Sequence, residues 1–198
     1  MVRKSQNRKA EIINSAIELI AHEGIQNLTI KNLASRVGVT EGALYRHFTG
    51  KMEILISILE TFDKMTDDLL DEIKNMSYTP IKRLELFFIN RFVQFNANPE
   101  FASVIFAEEV FQNDPRLVER ILKIMRKNDD FIKRVITAGQ KEGEIRADVD
   151  PEQLSLVAMG AIRLIVSRWH MLSFDFDLIK EGKQLWYTIK KLIQPKNK

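Results

Sequence analysis

The 198-residue chain has no cysteine, five prolines, eight glycines, three histidines and no run of 18 apolar residues. Without cysteine there is no disulfide, no thiol nucleophile and no thiolate metal site. His22, His47 and His170 lie far apart and no carboxylate constellation accompanies them, so neither a zinc enzyme nor any other cofactor is called for. The lack of a long apolar run argues against a membrane span. The start MVRKSQNRKAEII is basic but has no apolar core of a secretory signal, so a cytoplasmic protein without a membrane partner is expected. Scarce proline and glycine leave long uninterrupted windows for helices, and the expected fold is all-α.

What remains is a globular balance, 45% hydrophobic and 29% charged, with a net charge of +3 that is too small to name a partner. Its distribution says more. Residues 1–51 carry eight Lys/Arg against four Glu, whereas the rest of the chain carries 22 basic residues against 23 acidic ones. A positive head on a nearly neutral body points to an anionic partner for the head alone.

Hydrophobic periodicity places helices along most of the chain. Ile13, Ala16, Ile17, Ile20 and Ala21 form one face of a helix over 8–23, stopped by Gly24. Thr29 is an N-cap candidate for a short helix to about Val37, and Thr40 for another over Glu41 to His47, with Gly38 between them. Two short helices joined by a tight glycine turn make a helix-turn-helix. Further helices are expected at about 52–75, 81–96, 101–112, 116–139, 151–171 and from the SFDFD segment to about Leu192. That gives three helices before about residue 48 and six after it. The expected domains are a head of residues 1–51 and a body of residues 52–198.

In the window from Gly38 to Phe48, Val39, Leu44 and Phe48 can pin the short helix to its neighbours. Thr40, Glu41, Gly42, Ala43, Tyr45, Arg46 and His47 then face outward. Hydroxyls and imidazole bond phosphate oxygens, and small residues at a helix N-terminus let its backbone approach base edges. Lys51 begins the next helix, where an ammonium and exposed N–H groups together suit a phosphate. This is the chemistry of a helix that lies in the major groove of double-stranded DNA.

The segment from Ala10 to Leu55, with AIELIAHEG followed by LTIKNLASRVGVTEGALYRHFTGKMEIL, resembles the DNA-binding domain of the TetR/AcrR family of transcriptional regulators. The resemblance covers about a quarter of the chain and rests on a Thr-x-x-x-Leu-Ala opening, a Gly-Val-Thr turn, Leu-Tyr-x-His-Phe and a lysine. It implies about nine helices, a C-terminal ligand-binding and dimerisation domain, and repression relieved by a small molecule. It puts Thr29, Tyr45, His47 and Lys51 at phosphate-contacting positions and Lys31, Thr40, Glu41, Gly42 and Ala43 at positions facing bases. Arg46 falls at a variable site that serves either role. The basic arm Arg3, Lys4, Arg8 and Lys9 has two readings, a solvated terminus or a nonspecific phosphate contact. His22 and His170 are read as structural.

Seven of the twelve phenylalanines, Phe87, Phe88, Phe92, Phe95, Phe101, Phe106 and Phe111, lie within residues 87–111. Each ring alone reads as core, but together they also suit the lining of an apolar cavity. Phe62, Phe88, Phe92, Phe95, Phe106, Phe111, Arg163 and Trp169 are the candidate contacts for a hydrophobic small-molecule effector. Arg163 sits in a helix that is apolar on nearly every side and is expected to be buried, paired with Glu108 or Glu109 or meeting an acidic ligand.

The last two helices, with Ala158, Gly160, Ala161, Leu185, Trp186, Ile189, Leu192 and Ile193, are the expected homodimer interface, or alternatively domain core. A short helix-turn-helix reads few base pairs, so a two-fold dimer on a palindromic operator is expected. The rival readings are a related DNA-binding protein with a nucleoid or cell-division role and no ligand, and an enzyme. Against an enzyme stands the lack of a Ser/His/Asp arrangement, a Gly-rich phosphate loop or clustered histidines.

Overall fold

The computed structural model describes the backbone of residues 2–106 and 114–195, with side chains from residue 8 onward. Among the described residues there are nine α-helices: α1 (Val2–Glu23), α2 (Ile30–Val37), α3 (Glu41–Tyr45), α4 (Lys51–Asn75), α5 (Pro80–Ala97), α6 (Glu100–Ile105), α7 (Pro115–Lys141), α8 (Pro151–Met171) and α9 (Leu178–Ile193). A short 3-10 turn, Ile25–Asn27, follows α1. Their ends follow local chemistry. Thr29 Oγ1 accepts the Asn32 N–H at 3.1 Å, and Gly38, at φ 72° and ψ 38°, takes the left-handed conformation that ends α2 without a Cβ penalty. Asp150 caps α8 by accepting from the N–H groups of Glu152 and Gln153, and Asp177 caps α9 through Lys180 N–H.

The helices belong to two compact units. The first comprises Met1–Asp63 and Pro99–Leu122, the second Lys64–Asn98 and Lys123–Lys198. The expected boundary at residue 51 lies at the start of α4, whereas the boundary after Asp63 falls within that helix, and α6, which packs on α1, belongs to the first unit. In the first unit, Ile12, Ala16, Leu19, Ile20, Leu28, Leu33, Leu44, Phe48, Ile54, Leu55 and Ile58 form the core. Ile12 and Leu19 widen the buried face of α1 beyond the expected stripe, since α6 supplies a further partner through Phe101, Ala102 and Val104. Helix α6 ends at Ile105, and the rest of the expected helix 101–112 lies mostly outside the described residues.

The second unit is built on contacts of α9 with α5 and α8, and of α5 with α8. Its core is aromatic. Phe87 lies 5.6 Å from Phe131 and 6.3 Å from Phe88, which lies 5.1 Å from Trp186. Gly182 of α9 sits directly on the Phe92 ring, which is fully buried. Beyond α8, Ser173 and Phe174 are consecutive non-glycine residues at positive φ, 52° and 66°. That turn is held by Phe174 N–H donating to the Trp169 carbonyl, by the Phe174 ring 4.6 Å from Trp169, and by Trp169 Nε1–H donating to the Phe176 carbonyl at 2.9 Å. Its strain, of the order of 1–3 kcal/mol per residue, is thus overcome by packing. His170 lies against Phe174, and burial holds its imidazole below the ordinary histidine range.

Helix α8 corrects two expectations. Its buried stripe is Ser155, Ala158, Ile162, Val166 and Trp169, whereas Leu156, Val157, Leu164 and Met171 are 59–70% exposed. Arg163 is exposed as well, not buried, because it falls on the face that this chain leaves uncovered. Trp186, Ile189 and Ile193 of α9 are used in the unit's own core, while Tyr187 and Leu192 face outward.

Candidate nucleic-acid interface

Three short-range devices fix α3. Thr40 Oγ1 accepts the Ala43 N–H at 3.2 Å, the Gly38 turn sets its direction from α2, and Leu44 and Phe48 anchor it in the core of the first unit. The opposite side is presented to solvent. Thr40, Glu41, Gly42, Tyr45 and Arg46 are exposed, and Ala43 and His47 half-buried. A Cβ added to Gly42 would meet nothing within 4 Å, so this glycine is not demanded by the chain's own packing and leaves room for a surface to approach the backbone. Tyr45, 54% exposed, holds a phenol at the surface, and Arg46 is exposed as well.

From α2, Thr29 and Lys31 are also exposed. The Thr29 and Thr40 oxygens accept cap hydrogen bonds, which leaves each hydroxyl proton available to donate outward. Lys51 behaves differently. It is half-buried and its Nζ donates to the Ile25 carbonyl at 2.8 Å, tying the first turn of α4 to the turn after α1. Burial pushes its ammonium below the ordinary lysine value. That bond uses one of the three ammonium N–H donors, which leaves two for a phosphate.

Several neighbours were not legible in the sequence. Lys9 lies 5.1 Å from the Phe48 ring centre, so part of the basic arm supports the end of the reading segment. Arg36 bridges Glu18 and Glu23 at 3.4 Å each and is spent internally. The Glu53 carboxylate accepts the Thr49 N–H, which holds it below the ordinary carboxylate range. The only hint of that bond was a Thr and a Glu flanking the start of α4, one residue wider than a capping box.

The candidate effector residues fall in both units. Phe62 is buried in the first unit, 5.8 Å from Phe101, and Phe106 is half-buried in the same unit. Phe88, Phe92, Phe95 and Trp169 are buried in the second, Arg163 is exposed, and Phe111, Glu108 and Glu109 lie outside the described residues. The buried guanidinium is that of Arg91, on α5. Its Nη1 donates to Thr66 Oγ1 at 3.3 Å and Gln94 Oε1 at 3.0 Å, its Nη2 donates to Asn128 Oδ1, and it lies 5.1 Å from the Phe87 ring centre. Burial pushes Arg91 down to about 10, so it stays charged at neutral pH. Its signal was its placement one helical turn from Phe87, Phe88 and Phe95, on the apolar face of α5.

Residues 12–58 match the family model for bacterial regulatory proteins of the tetR family, and residues 58–192 match the C-terminal region of the YsiA-like protein. A fatty acid metabolism regulator protein of Bacillus subtilis is 25% identical over 179 residues, covering 90% of this chain and 91% of that one. The nucleoid occlusion factor SlmA of Aliivibrio fischeri is 22% identical over 192 residues, covering 96% and 98%. The solved structure of the transcriptional regulator FadR from Bacillus subtilis in complex with stearoyl-CoA has a TM-score of 0.80 at 25% identity, covering 93% of this chain and 99% of that one.

Proposed function

This chain belongs to the tetR family of bacterial regulatory proteins, and from that premise we propose that it is a homodimeric, effector-released repressor acting on a palindromic operator in the cytoplasm. As a family member it is a DNA-binding transcriptional regulator. The observation that carries the contact residues is the exposed face of α3, whose cap and apolar anchors hold Thr40, Glu41, Gly42, Tyr45 and Arg46 outward, with Thr29 and Lys31 beside them. In this reading Lys31, Thr40, Glu41, Gly42 and Ala43 face bases. Thr29, Tyr45, His47 and Lys51 position the phosphates, and Arg46 serves either role.

The uncovered face of α8, with Leu156, Val157, Gly160, Leu164 and Met171, and the outward Tyr187 and Leu192 of α9 support dimerisation through the two C-terminal helices. Leu156, Val157, Gly160 and Leu164 recur at three- and four-residue steps along α8, with Met171 seven residues on, and nothing lies within 4 Å of a Cβ added at Gly160, which suits close approach of a second helix. Two heads then reach half-sites about 34 Å or a multiple apart.

The effector is a hydrophobic small molecule, and its favoured class is a long-chain acyl thioester of coenzyme A. Support comes from the similar fatty acid metabolism regulator of Bacillus subtilis and from the similar solved structure that contains stearoyl-CoA. Binding in the C-terminal region would change the separation or tilt of the two heads so that both no longer fit one operator.

The test is selection of DNA from a random pool, then titration of the selected duplex with acyl-CoAs of increasing chain length. A palindromic site whose affinity falls about tenfold or more with one chain-length class is the expected result. Operator binding indifferent to every acyl-CoA refutes the effector class. The likeness to SlmA favours a second reading, a nucleoid or division role without effector. Binding sites scattered along the chromosome, with expression unchanged on deletion, would select it.

A further inference from the structure

A cleft of about 240 Å³ opens in the second unit between the end of α4, the start of α5 and the middle of α7, lined by Lys74, Pro80, Arg83, Phe131, Arg134, Val135 and Ala138. Its floor is apolar, with Phe131 and Val135 buried, and Gly139 lets α5 come close, since a Cβ there would lie 3.2 Å from Pro80 Cβ. Its rim is cationic. Lys74 pairs with Asp71 at 3.0 Å, whereas neither Arg83 nor Arg134 forms an ion pair among the described residues. Arg134 spends only its Nε–H, on the Asp130 carbonyl at 3.0 Å. Arg83 donates from Nη2 to the Met76 carbonyl at 3.2 Å, while its buried Nε–H has no hydrogen-bond partner among the described residues. A buried donor left unmatched is costly, and a guanidinium pair over an apolar floor matches an oxyanion attached to a nonpolar group.

We propose that this cleft binds a small organic anion, a carboxylate or phosphate head carried on an apolar body. The volume is below the roughly 300–1,000 Å³ of drug-sized sites, so the ligand is of fragment size or inserts only part of its apolar body. The site is independent of the effector reading, because none of its residues is a candidate effector contact.

Calorimetric titration of the full chain with octanoate, octyl phosphate, octanol and inorganic phosphate, below micelle formation, tests it. The expected result is saturable binding of at least one charged amphiphile below about 1 mM, with octanol and inorganic phosphate each about tenfold weaker or worse. Tighter octanoate identifies a carboxylate site, and tighter octyl phosphate a phosphate site. Arg134→Met, at an exposed position, and Ala138→Leu, which fills the cleft and keeps its charge, should each weaken binding about tenfold with unchanged thermal unfolding. Absence of saturable binding, equal affinity for octanol, or affinity unaltered by both substitutions overturns the proposal. The last outcome would place the amphiphile elsewhere and leaves the acyl-CoA reading to its own test.

Discussion

Gly182→Ala should destabilise this protein even though it replaces a glycine inside a helix. Alanine in place of glycine in a helix interior gains about 1 kcal/mol from propensity alone. At Gly182 the added methyl would lie 2.2 Å from Phe92 Cδ2 and 2.6 Å from both Cγ and Cε2, against a ring that is 0% exposed. Overpacking of this kind costs about 1–3 kcal/mol, and a ring with no solvent side to retreat to belongs at the upper end. The expected net loss is about 1–2 kcal/mol, or about 2–8 °C in Tm for a chain of this length. Urea unfolding followed by circular dichroism, at one fixed protein concentration because the proposed dimerisation would contribute, measures it. Phe92→Leu makes room for the methyl, so the double variant should be more stable than the two single losses predict, by about 1 kcal/mol. Gly160→Ala, where the space is open, is the control that isolates propensity from clash. Gly182→Ala as stable as the parent, with losses that simply add to those of Phe92→Leu, would refute the contact of α9 with α5 as described.

Tyr45→Phe should weaken binding to every DNA sequence by a few fold, whereas Lys31→Ala should alter sequence preference; fluorescence anisotropy against a panel of operator variants separates the two. Leu164→Asp puts a charge on the uncovered face of α8 and should shift light-scattering mass from dimer to monomer and abolish tight operator binding, without loss of helix content. Partial burial pushes the Asp129 carboxyl up, but hydrogen bonds from Lys133 and Ser155 outweigh it and hold the group below its ordinary 3.8. The stability that Asp129 contributes is therefore present above that value and is lost as pH falls through the lower folded one. The gap in urea midpoint between the parent and Asp129→Asn should be constant from neutral pH down to about 5 and close below about 4.

The head was legible because its signals are local. Thr29, Gly38 and Thr40 act within four residues of themselves, and the structure uses each where the spacing put it. Helix α8 was legible as a helix but not in its environment. Periodicity reports that Leu156, Val157 and Leu164 are apolar, and it cannot say whether this chain or a second one covers them, so Arg163 was assigned to an interior that the single chain does not possess. Arg91 was missed for the complementary reason. Thr66 and Asn128, which receive its hydrogen bonds, stand 25 and 37 residues away, and only the folded unit brings them together. The phenylalanine count located an aromatic region, yet filled core and ligand lining share one spacing. Packing of Phe88 and Phe92 against Trp186 and Gly182 decides for core at those two rings.

Arg91 also constrains how the second unit can move. Its guanidinium is bonded at once to residues of α4, α5 and α7. A slide of any of these helices by one turn, about 5.4 Å, would carry its bonds out of reach and strand a buried charge, at a cost of about 3–5 kcal/mol. Arg91 therefore pins α4, α5 and α7 to one another at its own level against sliding.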